Sequence, residues 1–170
     1  MPSPKSSDPR ILITAGPTLE HLDPVRGILN RSSGKMGLAL ARACSERGLS
    51  VQALLGPVET SVHDDFRECA EVAPYQTSDE LWHLLAEFWP QHDLLFMAAA
   101  VSDLRPAQAS QSKLQRSMTT LKLEPVPDFL ASLADQWPSH GIRIGFALEN
   151  KDQLLHRAQK KRSSKNCHAI

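Results

Sequence analysis

The stretch NRSSGKMGLALA, residues 30–41, gathers two serines, a lysine and two glycines where a helix begins, and directs the reading of everything around it. On its N-terminal side lies ILITA, residues 11–15, a short apolar run ending at Gly16-Pro17, as a buried parallel strand does. On its C-terminal side Met36, Leu40, Ala43 and Cys44 recur at helical spacing and Gly48 stands where a C-terminal cap falls, so a helix is expected over residues 33–47. Strand, long loop and helix thus open the domain.

The same alternation continues. Residues 51–55 form a second strand stopped by Gly56-Pro57, and residues 69–72 a shorter third. Thr77-Ser78-Asp79-Glu80 is a capping box, in which the Thr77 hydroxyl and the Glu80 carboxylate each accept from the other's N–H. It starts a helix reaching about Trp89. Residues 93–98 are the next buried strand, Pro127 is expected at the first position of a further helix, and residues 142–146 close the set. Strands alternating with helices imply βαβ units and a mainly parallel sheet covered on both faces. Residues 101–120 are polar and aperiodic, longer than most connections inside a domain, and are expected to be a lid-like loop.

A Walker A loop needs GxxxxGK[ST], but Leu29 stands where its first glycine belongs and Met36 where its hydroxyl belongs. A dinucleotide fingerprint needs GxGxxG after the first strand and an acid closing the second, where this chain has Gly16-Pro17-Thr18 and Gly56-Pro57. The only tyrosine, Tyr75, has Asp79 four residues on, not the lysine of a short-chain reductase. What survives is a helix start whose free N–H groups, with Ser32, Ser33, Gly34 and Lys35, can receive an anion. Alternatively Ser33 caps the helix and the glycines pack on the sheet.

Composition narrows the function classes. The chain has 170 residues, 41% hydrophobic and 22% charged, with a formal net charge of +0, so no whole-chain field favours nucleic acid. No apolar run approaches the roughly 18 to 20 residues of a membrane span. Cys44, Cys69 and Cys167 lack disulfide or zinc spacing, and a reducing cytoplasm is expected. Residues 1–9 read as a disordered arm and residues 10–170 as one domain.

Four segments in order, GPTLEHLDPVRGILNRSSGKMGLALA (16–41), AAAVSDLRP (98–106), PDFLASL (127–133) and GFALEN (145–150), resemble the phosphopantothenoylcysteine synthetase family over about residues 10–170. The resemblance implies a Rossmann-like three-layer α/β fold with a mainly parallel sheet and a long flap loop. It also implies a homodimer, magnesium, and a reaction in coenzyme A biosynthesis. CTP activates the carboxylate of 4'-phosphopantothenate as an acyl-cytidylate, and the amine of L-cysteine displaces CMP; the wording of residues 30–37 favours CTP over ATP.

Carried over by motif, the resemblance implies Asn30 and Lys113 as catalytic residues. It implies Asp103, Lys113, Pro127, Asp128, Phe129, Leu130, Phe146, Lys161 and Lys165 at the nucleotide, and Arg26, Ser32, Ser33, Gly34, Lys35 and Ala99 around substrate and phosphate. Metal ligands are left unassigned. Where the family has KxKK, this chain reads Lys113-Leu114-Gln115-Arg116. The flavoprotein half found fused in many bacteria is not expected, and residues 166–170 fall where the family begins another strand, so the domain is expected to be shortened at that end. Two other functions stay open: a nucleotide-binding pseudoenzyme or non-catalytic partner, and a nicotinamide or flavin reductase.

Overall fold

In the computed structural model, which describes residues 8–116, 120–148 and 150–170, strand β1 (Ile11–Ala15) is completely buried. Its side chains divide between two cores. Leu12 joins Leu54, Leu81, Leu85, Leu95 and Leu133 on one face, while Ile11, Ile13 and Ala15 join Leu38, Ala41, Val51 and Phe66 on the other. That division follows from the two-residue period of a strand. A strand buried on both faces must be apolar throughout, which is why ILITA is uninterrupted.

The main sheet has five parallel strands. β4 (Val51–Leu55) and β6 (Leu94–Met97) flank β1, β5 (Glu71–Pro74) lies outside β4, and β9 (Ile142–Gly145) outside β6. Helices α1 (Lys35–Ser45) and α2 (Thr60–Arg67) contribute Leu38, Ala41, Val62 and Phe66 to one core. Helices α3 (Ser78–Phe88) and α4 (Phe129–Gln136) contribute Leu81, Leu85, Phe129, Leu130 and Leu133 to the other. The expected three-layer α/β fold with a mainly parallel sheet is therefore present. The fifth helix, α5 (Leu154–Ser164), buries no residue in either core.

Several local expectations need correction. The first helix begins at Lys35 with Gly34 as its cap, because Gly34 takes a left-handed φ of 73° that Ser33 would resist. The third strand lies two residues later than expected. Pro127 precedes the helix instead of opening it: Asp128 is the cap, its carboxylate accepting from the Ala131 N–H at 3.2 Å, and the helix starts at Phe129. Helix α2 has no counterpart in the sequence reading, since only Val62 and Phe66, four apart, mark its buried side. The capping box of α3 is complete, with Thr77 Oγ1 accepting from the Glu80 N–H at 3.2 Å and Glu80 Oε2 accepting from the Thr77 N–H at 3.3 Å.

The two long loops contain hairpins. β2 (Leu19–His21) pairs antiparallel with β3 (Gly27–Leu29), and β7 (Leu104–Pro106) with β8 (Leu123–Pro125). Both are fastened to the first turn of α3. Buried Glu20 accepts from the Ser78 N–H at 3.0 Å and the Ser78 hydroxyl at 3.1 Å, and Arg105 pairs with both Asp79 and Glu124. Those two carboxylates hold the Arg105 pKa above its ordinary value. Negative side chains at a helix N-terminus are favoured by its dipole, so α3 is a natural anchor.

Cys44, Cys69 and Cys167 are free thiols. Among the described residues no helix is long and apolar enough to cross a membrane. Residues 1–7 of the expected N-terminal arm, residues 117–119 of the flap and Glu149 of GFALEN lie outside the described residues.

Candidate functional site

In parallel α/β sheets ligands gather beyond the carboxyl ends of the strands, where the order reverses. Here the chain runs outward from β1 through β4 to β5 and then crosses back to β6 on the other side of β1. The crevice beside β1 is closed, however, because the segments after β1 and β6 remain paired. The Ala100 N–H donates to Gly16 O at 2.9 Å, the Thr18 N–H to Ala100 O at 3.3 Å, and the Ser102 N–H to Thr18 Oγ1 at 3.0 Å. Buried Tyr75 adds its hydroxyl to Ala15 O at 2.9 Å, and burial pushes that phenol's pKa upward.

The open space lies one strand over, beyond β6 and β9. A pocket of about 260 Å³ is lined by Ala99 and Asp103 after β6, Asp128, Phe129 and Leu130 at the start of α4, and Phe146 after β9. Lys161 and Lys165 line it from α5. These eight residues come from four separate segments and were all expected at a ligand. Lys161 lies in the last turn of α5 and Lys165 is the cap just beyond it, so the helix expected to carry both lysines stops one residue short of the second.

Each wall has a local cause. Gly145 has no side chain, and a Cβ there would meet Leu130 Cδ1 at 2.8 Å and Ile170 Cγ1 at 3.0 Å, so both approach β9 closely. Phe129 is buried and packs on Trp82 with ring centroids 5.3 Å apart, whereas Phe146 remains 43% exposed and offers its ring to the pocket. Lys165 Nζ meets Asp128 Oδ2 at 2.9 Å. Arg143, buried in β9, donates to Trp137 O and His140 O at 3.0 Å and to Asn166 O at 3.1 Å, tying down the chain just beyond α4 and α5. Burial lowers its pKa. His168 and Ala169 run beside β9, with the His168 N–H on Arg143 O and the Gly145 N–H on Ala169 O.

Other expected residues stand outside this pocket. Asn30 is adjacent to it: its Nδ2 donates to Val101 O at 3.0 Å and Ala100 O at 3.4 Å, two carbonyls of the pocket wall. Ser32, Ser33 and Lys35 line a separate hollow with Arg31 and Glu59 at the start of α1. Gly37 packs rather than opening a ligand path, since a Cβ there would lie 2.4 Å from Ala15 Cβ. Pro127 and Lys113 are exposed and line neither space. The Arg26 guanidinium is directed at Asp23 and at Leu114 O, not into the pocket.

Met97, Ala100, Val101, Ser102 and Ile170 complete the lining and were not singled out from the sequence. Ser102 is the notable one. It is buried, and its hydroxyl has no hydrogen-bond partner among the described residues. Asp103 is exposed, and its carboxylate makes no polar contact among the described residues. No group of three or more His, Cys, Asp or Glu side chains among the described residues is arranged to hold a metal.

Residues 6–170 match the family model described as DNA/pantothenate metabolism flavoprotein C-terminal domain. The chain is 36% identical over 165 residues to the coenzyme A biosynthesis bifunctional protein CoaBC of Vibrio vulnificus, covering 90% of this chain and 38% of that protein. It is 35% identical over 153 residues to a cysteine/cysteine sulfinic acid decarboxylase of an unknown prokaryotic organism, covering 89% of this chain and 42% of the relative. It thus spans about two fifths of the curated relatives it matches. Among solved structures, the C-terminal domain of CoaBC superposes with a TM-score of 0.77 at 31% identity, covering 94% of this chain and 74% of the other. A Cab2 mutant in complex with phosphopantothenate-cysteine shares the fold, with a TM-score of 0.78 at 23% identity over 94% of this chain and 70% of the other.

Proposed function

This chain belongs to the DNA/pantothenate metabolism flavoprotein C-terminal domain family, and we propose that it is a CTP-dependent phosphopantothenate-cysteine ligase of coenzyme A biosynthesis. The carrying observation is the convergence of Asp103, Asp128, Phe129, Leu130, Phe146, Lys161 and Lys165 on one pocket. It has an exposed aromatic face for a base, a carboxylate for a ribose, and two ammonium groups at the C-terminal end of one helix for phosphates. The ligand named for the Cab2 structure supports phosphopantothenate and cysteine as the other substrates.

In the proposed reaction the carboxylate of phosphopantothenate attacks the α-phosphorus of CTP and pyrophosphate leaves. The cysteine amine then attacks the acyl carbon, CMP leaves with the bonding pair, and the amine proton is lost as the amide forms. A carboxylate is a poor acyl donor until it carries such a leaving group, and crowding anions together calls for fixed positive charge. Lys161 and Lys165 would supply it at the phosphates and Lys113 at the acyl group. Asn30, held against the pocket wall, would turn its amide oxygen toward the reacting end of the substrate.

Magnesium habitually takes one or two carboxylates together with substrate phosphates instead of a cage made wholly of protein. The pocket fits that habit, with Asp103 as the carboxylate lacking another polar partner among the described residues. When bound, the ion would offset phosphate charge. A homodimer belongs to the same proposal and is tested by light scattering of the purified chain.

The deciding experiment supplies the chain with CTP, magnesium and phosphopantothenate, and follows pyrophosphate and the acyl-cytidylate by mass spectrometry before and after cysteine is added. Cysteine-dependent product, lost in Asn30→Ala and Lys113→Ala, is the expected result. One observation favours a second reading, a nucleotide-binding chain without turnover: Lys113 lies outside the pocket in a segment reading KLQR. CTP binding without pyrophosphate release would establish that reading instead.

A further inference from the structure

Between β2 and β3 the carboxylate of Asp23 is buried, its side chain fully shielded from solvent. Oδ1 accepts the N–H groups of Val25 and Arg26, each at 2.8 Å, which closes the turn. Oδ2 accepts from Arg26 Nε at 2.9 Å, from Arg26 Nη2, and from the Leu114 N–H at 3.0 Å. Arg26 Nη2 also donates to Leu114 O at 2.8 Å. One carboxylate–guanidinium pair therefore holds both polar main-chain groups of a single flap residue, across 88 and 91 positions of sequence. The Ser110 N–H adds a third tie, to Leu22 O at 2.9 Å.

We propose that Asp23 and Arg26 are a latch that fastens the flap by the main chain of Leu114 and thereby sets where Lys113 stands. They are positioning residues for the reaction proposed above, and this role rests on that reading. The geometry argues for it from both ends. Leu114 is half-buried, beside Leu22 and Pro106 in a groove, while the adjacent Lys113 is exposed. From the same turn β3 leads directly to Asn30, whose amide holds the carbonyls of Ala100 and Val101 in the pocket wall. One short hairpin thus holds the flap at its turn and the pocket wall at its end. Asn30 and Lys113 then share a common frame although the sequence separates them. The Arg26 fork is required because a lysine ammonium presents no planar pair of donors.

Asp23→Asn tests this selectively. It keeps the Oδ1 bonds that close the turn and turns the other oxygen into an NH2 donor facing Arg26 and the Leu114 N–H. Arg26→Lys is the second variant and retains the charge. Hydrogen exchange on the whole chain is expected to quicken about ten-fold or more over residues 110–116 in Asp23→Asn, less in Arg26→Lys, with β1 and β6 unchanged. Where the wild type releases pyrophosphate, kcat should fall about ten-fold in Asp23→Asn with KM for CTP within about two-fold, because only the chemical step loses its partner. Unchanged exchange over 110–116 in both variants, or a loss of protection spread evenly over the chain, would overturn the latch. A wild type that releases no pyrophosphate overturns the functional reading and leaves the latch to be judged by exchange. Normal turnover in variants whose flap exchanges faster overturns the positioning role alone.

Discussion

Lys165 Nζ and Asp128 Oδ2 meet at 2.9 Å, so the residue that caps the end of α5 is joined to the residue that caps the start of α4 across the rim of the pocket. The pair is partly exposed, at 26% and 42%, and such pairs contribute only about 0 to 1 kcal/mol to stability. Its consequence lies in where it keeps an ammonium. Lys165→Met should cost no more than about 1 kcal/mol in urea denaturation. It should weaken CTP binding about ten-fold by calorimetry, since a charge-assisted contact is removed. Unchanged affinity would remove Lys165 from the site.

Phe146 separates a stacking role from a packing one. It is 43% exposed at the end of β9, so truncation leaves little cavity. Phe146→Ala should leave the melting temperature within a few degrees of wild type and weaken CTP by about 1–3 kcal/mol, the range for loss of base stacking on an aromatic ring. A large fall in stability with unaltered binding would assign the ring to the core.

Gly37 is expected to matter through packing alone. A methyl group at this position would stand 2.4 Å from Ala15 Cβ, so Gly37→Ala must push α1 off β1, at about 1–3 kcal/mol. Chemical denaturation measures that loss directly. A neutral result would show that α1 and β1 have room for the added methyl group and would remove the packing role.

Acid should release the latch. Arg26 foremost, with the N–H donors of Leu114, Val25 and Arg26 itself, lowers the Asp23 pKa far below its ordinary 3.8. A depressed carboxylate stabilises the fold fully above the ordinary value and loses that contribution as pH falls toward the folded value. The difference in urea midpoint between wild type and Asp23→Asn should therefore be constant from neutral pH to about 5 and shrink below 3.8. A difference that grows on acidification would contradict the assignment.

The elements that could be read from the chain are those whose signal is local. ILITA declares a doubly buried strand because each of its residues must be apolar, and Thr77 and Glu80 declare a helix start because both partners of the capping box lie within one turn. Helix α2 escaped because a helix covering one sheet edge needs only Val62 and Phe66, too few to show a period. The hairpins escaped because three-residue strands held by Glu20 and Arg105 take their stability from α3, not from their own composition.

The site divides along the same line. Motif order named Asp103, Asp128, Phe146, Lys161 and Lys165 as candidates, but their meeting in one pocket depends on β6 and β9 ending, and α4 beginning, on one side of the sheet, with the end of α5 brought to the same place. Arg26 was expected around substrate and phosphate from the resemblance alone. In the folded chain that guanidinium is directed at the buried carboxylate of Asp23, three residues before it, and at Leu114 O, which only the topology brings to it across 88 residues. Local hydrogen bonds and side-chain periodicity are written in neighbouring residues, whereas the partner of a charged side chain is whichever group the topology places within about 3 Å.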